Sequence, residues 1–104
     1  MKILAAALFT IFSLNVQAAV KCDVEYIKFV QVKSNGSVVY FTQSGVLRGL
    51  GNVSDPTLPF MYQALLLSIE KNLMVQVAYK DGFNCKQENT DAKADWVMVQ
   101  NINR

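Results

Sequence analysis

The chain has 104 residues, 52% of them hydrophobic, and ten Lys and Arg against eight Asp and Glu give a net charge of +2. It contains no histidine and two cysteines, which excludes Ser-His-Asp and Cys-His catalytic systems and the usual zinc sites. The basic residues form no run, so the sequence shows no electrostatic footprint for nucleic acid, and nucleic acid is not an expected partner.

Residues 1–18 have the pattern of a Sec-type signal peptide. Lys2 precedes an apolar stretch from Ile3 to Leu14, and Val16-Gln17-Ala18 supplies small residues for cleavage. The stretch is too short for a membrane span, and an amphipathic first helix is disfavoured because no polar face exists. We therefore expect a bacterial protein that is periplasmic or secreted. Residues 19–104 should form a single domain with no membrane span after cleavage.

Cys22 and Cys85 are the only cysteines, and they enclose most of this domain. In an oxidising compartment the sequence predicts one disulfide between them, with two free thiols as the alternative. A domain this small has a marginal core, so such a bridge would add needed stability. The role is structural, because oxidoreductases use a closely spaced cysteine pair.

Strand patterns dominate the first half of the domain. Val24 to Lys33 alternates in hydrophobicity, and Val38 to Thr42 follows it as the return strand. Between them lies Asn35-Gly36, the strongest short hairpin signal. Gly45 to Leu50 predicts a third strand, bent or bulged at its glycines.

A single helix is predicted from Phe60 to Lys71. Pro59 suits its first turn, where a missing N–H costs nothing, and Asn72 suits its C-terminal end. The helix is apolar over most of its circumference, which requires burial on two sides. One side should face the domain core and the other a neighbouring subunit. The expected subunit contacts are Met61, Leu65, Leu66 and Ile69.

Strand patterns return after the helix. Leu73 to Lys80 is predicted as a strand, Lys86 to Asp95 as a polar loop, and Trp96 to Asn103 as the last strand. The order predicts a mainly β domain with one α-helix, arranged as a small OB-type five-stranded Greek-key barrel with one disulfide. A helix packed on an open antiparallel sheet is the main alternative.

Five features carry a resemblance to a known family: Cys22, the helix, the strand Leu73 to Tyr79, Cys85 and the terminal strand. Their order along the chain resembles that of the cell-binding B subunits of pentameric A–B bacterial toxins. The segment Pro59 to Gly82 is also similar to the helix-strand segment of pertussis-like and subtilase-type B subunits. Related small exported OB-fold proteins of unknown role share the same arrangement. The resemblance implies a homo-oligomer, a pentamer in the toxins, with an enzymatic A subunit and a cell-surface glycan as partners. Cholera-type subunits stack galactose on a tryptophan two residues after the second cysteine, where this chain has Gln87.

The leading functional hypothesis is an exported, non-enzymatic binding module that recognises host-cell glycans and assembles into a ring. The expected glycan-binding residues are Thr42, Gln43, Ser44 and Trp96. No catalytic residue, metal site or cofactor is predicted, and the acidic pairs Asp23/Glu25 and Asp91/Asp95 are interpreted as solvated surface charges. The alternative is a periplasmic accessory or inhibitor protein that binds another protein and has no glycan activity.

Overall fold

A computed structural model describes residues 19–101, so the predicted signal peptide, the last two residues of the final predicted strand and Arg104 lie outside the described part. Residues 19–101 form six strands and one helix. In chain order these are β1 (Val20–Lys21), β2 (Ile27–Val32), β3 (Ser37–Thr42), β4 (Leu47–Asn52), α1 (Leu58–Lys71), β5 (Met74–Tyr79) and β6 (Trp96–Gln100).

The strands divide into two antiparallel sheets, one in the order β2-β3-β4 and the other in the order β1-β5-β6. The prediction of a mainly β domain with one helix is confirmed, but the strands form two three-stranded sheets rather than one continuous five-stranded ladder. The chain before β2 belongs to the other sheet, since Val20 and Lys21 pair with β5 whereas Ile27 to Val32 pairs with β3. Isolated bridges from Glu25 and Arg48 link the two halves.

The hairpin between β2 and β3 forms at the predicted Asn35-Gly36 turn. Gly36 has a φ of 87°, and its N–H donates to the Lys33 carbonyl at 2.9 Å. Asn35 keeps a negative φ and instead accepts a hydrogen bond from the Ser37 N–H at 2.9 Å. The hairpin is confirmed; Ser34 and Asn35 are the central residues of the turn closed by this bond, and the positive φ falls on Gly36, which follows them.

The bulge expected in the glycine-containing strand lies in β4. Val38 pairs with Gly51 while the next residue, Val39, pairs with Gly49, so Leu50 has no partner in the register. Gly51 adopts a φ of 152° at this point. The bulge turns Leu50 into the core, where it is fully buried.

Helix α1 begins two residues before the predicted start, with Pro59 in its first turn as expected. It ends at Lys71, and the next residue, Asn72, caps it with a left-handed φ of 55°. The Asn72 N–H donates to the Ile69 carbonyl, and the Leu73 N–H donates to the Ser68 carbonyl. The buried face repeats at helical spacing and consists of Leu58, Met61, Leu65 and Ser68. This face packs on the strands and closes one side of the core.

The core contains the disulfide and two buried tyrosines. Cys22 and Cys85 are bonded, 63 residues apart in sequence, which confirms the predicted bridge. Tyr40 and Tyr79 are 0% and 1% exposed and come from different sheets. Tyr79, within the predicted strand Leu73 to Lys80, is therefore a core residue.

Candidate functional site

A pocket with a volume of about 620 Å³ lies where the segment between β1 and β2, the β3–β4 turn and the loop after β5 meet. Six polar or charged residues line it: Asp23, Glu25, Gln43, Ser44, Arg48 and Lys86. We name it the Arg48 pocket. Its two acidic and two basic side chains balance, so the pocket presents donors and acceptors without a net charge.

Arg48 forms the floor of this pocket and is 4% exposed. Its Nε and Nη2 atoms both donate to the Cys85 carbonyl, at 3.0 and 2.6 Å. Nη2 also lies 3.6 Å from Oε2 of Glu25, whose side chain is 13% exposed. The guanidinium therefore has an anionic partner and a carbonyl partner, as a buried charge requires.

Glu25 connects Arg48 to the rim of the pocket. Its Oε1 accepts a hydrogen bond from the Ser44 N–H at 2.9 Å. Its backbone N–H and carbonyl bond to Val75 of β5 at 2.9 and 2.8 Å. Glu25 is thus bonded through its backbone to one sheet and through its carboxylate to the other, and the interpretation of Glu25 as a solvated surface charge is wrong.

A directed chain of hydrogen bonds extends from Arg48 into the core. The Tyr79 hydroxyl donates to the Gly49 carbonyl at 2.7 Å, so it must accept in its 2.8 Å bond with the Tyr40 hydroxyl. Tyr40 in turn interacts with the Arg48 side chain. Desolvation raises the pKa of both phenols, so both remain protonated and can act as donors in this chain.

The structure places Gln43 and Ser44 in the lining of the Arg48 pocket. Thr42 is fully buried beside them, where its hydroxyl bonds to the Ser44 hydroxyl at 3.0 Å and accepts from the Val46 N–H at 3.1 Å. Thr42 therefore shapes the β3–β4 turn that carries the other two. Three of the four residues expected to bind a glycan are thus brought together.

Trp96 is not part of this group. It is half-buried at the start of β6 and lines a separate groove of about 270 Å³ with Phe60, Asp95 and other residues at the start of α1. The sequence-based grouping of Trp96 with Ser44 would require a ligand that reaches two separate pockets.

The four predicted subunit contacts lie on two faces of α1. Met61 and Leu65 are 8% and 0% exposed and belong to the protomer's own core, so they are not available to a second subunit. Leu66 and Ile69 are 42% and 38% exposed. The neighbouring Phe60 and Leu67, which were not among the predicted contacts, are more exposed still, at 73% and 44%.

Sequence reasoning missed Arg48, Lys86 and the role of Glu25. Arg48 is an isolated basic residue within a short glycine-rich strand, and its partner Cys85 lies 37 residues away. A basic residue inside an otherwise apolar strand is a weak signal of a buried ion pair, since charged residues are rarely buried without a partner.

No group of His, Cys, Asp and Glu side chains suited to a metal ion occurs within residues 19–101. Over the same residues, no helix has the length and apolar character needed to cross a membrane. No protein-family model, curated protein or solved structure matches the chain.

Proposed function

We propose that this protein is an exported, non-enzymatic binding module that recognises cell-surface glycans through the Arg48 pocket. The observation that carries the proposal is the lining of this pocket, in which hydroxyl, amide, carboxylate and ammonium groups converge without a net charge. Sugar hydroxyls both donate and accept hydrogen bonds, so a mixed lining of this kind complements them. The pocket volume lies within the range of small-molecule sites.

The disulfide supports the exported location, because such bonds persist in oxidising compartments. We also propose that the two sheets act together as an OB-type barrel, in which the loop before β6 closes onto β4. Three backbone hydrogen bonds support this closure: Gly49 N–H to Asn89, Asn89 N–H to Leu47 and Ala94 N–H to Leu50, at 2.7, 3.1 and 3.0 Å. OB barrels commonly bind oligosaccharides.

The glycan proposal is tested with a matched pair of glutamine variants on a glycan array. Gln43 and Gln87 are both exposed loop residues, but Gln43 lines the Arg48 pocket and Gln87 does not. Gln43→Ala should weaken binding about five- to tenfold through the loss of one or two hydrogen bonds. Gln87→Ala should leave binding unchanged.

Two results would contradict this assignment. If the wild-type protein bound no glycan on the array, the proposed function would be wrong. Binding that survives Gln43→Ala but is lost in Trp96→Ala, with an unchanged melting temperature, would move the site to the Trp96 groove.

We further propose that copies of the chain assemble into a ring. Closed rings need two different complementary surfaces on each subunit. Among residues 19–101, β2 and β6 occupy outer positions in their respective sheets, and each offers an edge. The exposed apolar residues of α1 give a second reason for a partner, since a helix with two apolar faces needs cover on both.

Leu66→Glu tests the assembly, with Gln63→Glu as the control on the same exposed side of α1. A charge at a buried subunit contact should weaken association by roughly 2 kcal/mol or more, and Gln63→Glu should have little effect. Light scattering during size exclusion gives the mass. Wild-type protein that remains monomeric at high concentration would favour the alternative, an accessory or inhibitor protein that uses the same apolar residues for a different partner.

A further inference from the structure

Arg48 lines the Arg48 pocket and bonds to other residues of its lining, but its own side chain is almost completely buried. Its Nε and Nη2 are engaged by the Cys85 carbonyl, and the guanidinium is also next to the Glu25 carboxylate and the Tyr40 hydroxyl. At 4% exposure it has little capacity left for a ligand. Its effect on a ligand must therefore act through the groups that it holds.

Arg48 contacts two different walls of the pocket. One wall is the loop after β5, where Cys85 and Lys86 lie. The other is Glu25, which fixes the Ser44 N–H at 2.9 Å. Because Arg48 contacts both Cys85 and Glu25, it sets the separation between these walls.

The disulfide anchors the first of these walls to the core. Cys22 is 1% exposed, donates its N–H to the Val77 carbonyl at 3.0 Å and accepts a bond from the Gln76 side chain at 3.0 Å. Cys85 itself is held by its bond to Cys22 and by Arg48. The backbone bonds of the neighbouring Phe83 and Gln87 N–H groups are local to the loop.

We infer that Arg48 is the positioning residue of this pocket and that the Cys22–Cys85 disulfide controls the pocket through it. The bond fixes the Cys85 carbonyl, the carbonyl fixes the guanidinium, and the guanidinium fixes Glu25 and the Ser44 turn. The pocket is thus assembled by oxidation of the two cysteines. The inference rests on the proposed function only for the identity of the ligand.

The test measures hydrogen exchange of the Ser44 amide by NMR in the isotope-labelled protein. It also measures binding of two probes, methyl β-galactoside and N-acetylneuraminic acid. Arg48→Lys keeps the charge but cannot donate twice to one carbonyl in the same way, so the Ser44 amide should exchange about fivefold faster. Binding of whichever probe the wild-type protein takes should weaken by a similar factor. Lys93→Met, which removes the exposed Lys93–Asp55 ion pair outside this pocket, should change neither.

A double-mutant cycle tests whether the disulfide acts on the pocket through Arg48. The Cys22→Ala/Cys85→Ala variant should raise the exchange rate of the Ser44 amide to the rate seen in Arg48→Lys, although neither cysteine is hydrogen-bonded to Ser44. Combining the cysteine and Arg48 changes should raise the Ser44 exchange rate little further, because both changes act through one network. If Arg48→Lys does not fold, the cysteine variant tests the inference by itself, since an unchanged Ser44 amide there would overturn it.

Two outcomes would overturn the inference. Loss of probe binding in Arg48→Lys with an unchanged Ser44 amide would mean that Arg48 touches the sugar directly. Strictly additive effects would mean that the disulfide and Arg48 act separately. If wild-type protein takes neither probe while the exchange cycle behaves as expected, the glycan function fails and the positioning role stands.

Discussion

Removing the Cys22–Cys85 disulfide should lower the free energy of unfolding by about 4 kcal/mol, because the bond closes a long loop in the unfolded chain. The cysteines are 63 residues apart, so the loop spans most of residues 19–101. Cys22 also lies in the core, where its sulfur is packed. A domain of this size has only about 5–15 kcal/mol of stability in total, so the loss should be a large fraction of it.

Urea denaturation of the Cys22→Ala/Cys85→Ala variant and of reduced wild-type protein measures this loss by two independent routes. The double variant avoids a single free thiol that could form bonds between molecules. Agreement between the two would assign the loss to the bond itself. Equal stability of oxidised and fully reduced protein, with reduction verified by a thiol assay, would contradict the prediction.

Gly49→Ala is expected to destabilise the fold by about 3 kcal/mol or more, because a side chain there would overpack a site formed by backbone. A Cβ atom at Gly49 would lie 2.8 Å from both the Ala92 nitrogen and the Thr90 oxygen. Neither is the end of a flexible side chain that could move aside. The Gly49 N–H and carbonyl are also both engaged, by Asn89 and Tyr79.

Gly45→Ala is the matched control for Gly49. A Cβ atom at Gly45 would meet nothing within 4 Å, so the φ of 93° at this residue is the only reason for an alanine there to destabilise the fold. That conformational cost should be roughly 1–2 kcal/mol. Thermal unfolding of both variants checks the difference. Equal losses would mean that the contact between β4 and the loop before β6 is not what requires glycine.

The sequence predicted features that neighbouring residues determine. Asn35-Gly36 located a hairpin because glycine tolerates positive φ, and Pro59 and Asn72 located the ends of α1 for similarly local reasons. The disulfide could be predicted because only one pairing exists within the chain. Alternation in hydrophobicity was enough to locate strands β2, β3, β5 and β6 within a few residues.

The features that sequence reasoning missed depend on contacts between distant residues. Nothing near Arg48 indicates that Cys85 will accept two of its hydrogen bonds, or that Glu25 will be its anionic partner. The short strand β1 exists because β5 is beside it, and two residues are too few to show a pattern. Ser44 and Gln43 were found because polar residues at a strand end are a local signal. Trp96 was grouped with them only by assuming how the strands close.

The pairing of β1 with β5 has a consequence for the order in which this protein folds. The strands β2, β3 and β4 are consecutive in the chain, so their sheet can form from local hairpins on a fast timescale. The pairing of β1 with β5 needs residues 20–21 to meet residues 78–79, across an intervening chain that must already be compact. A chain that emerges from its amino end therefore leaves Cys22 unpaired until nearly all of the domain has followed. We expect the last steps of folding to be the docking of β1, the closure of the loop that carries Cys85, and only then oxidation.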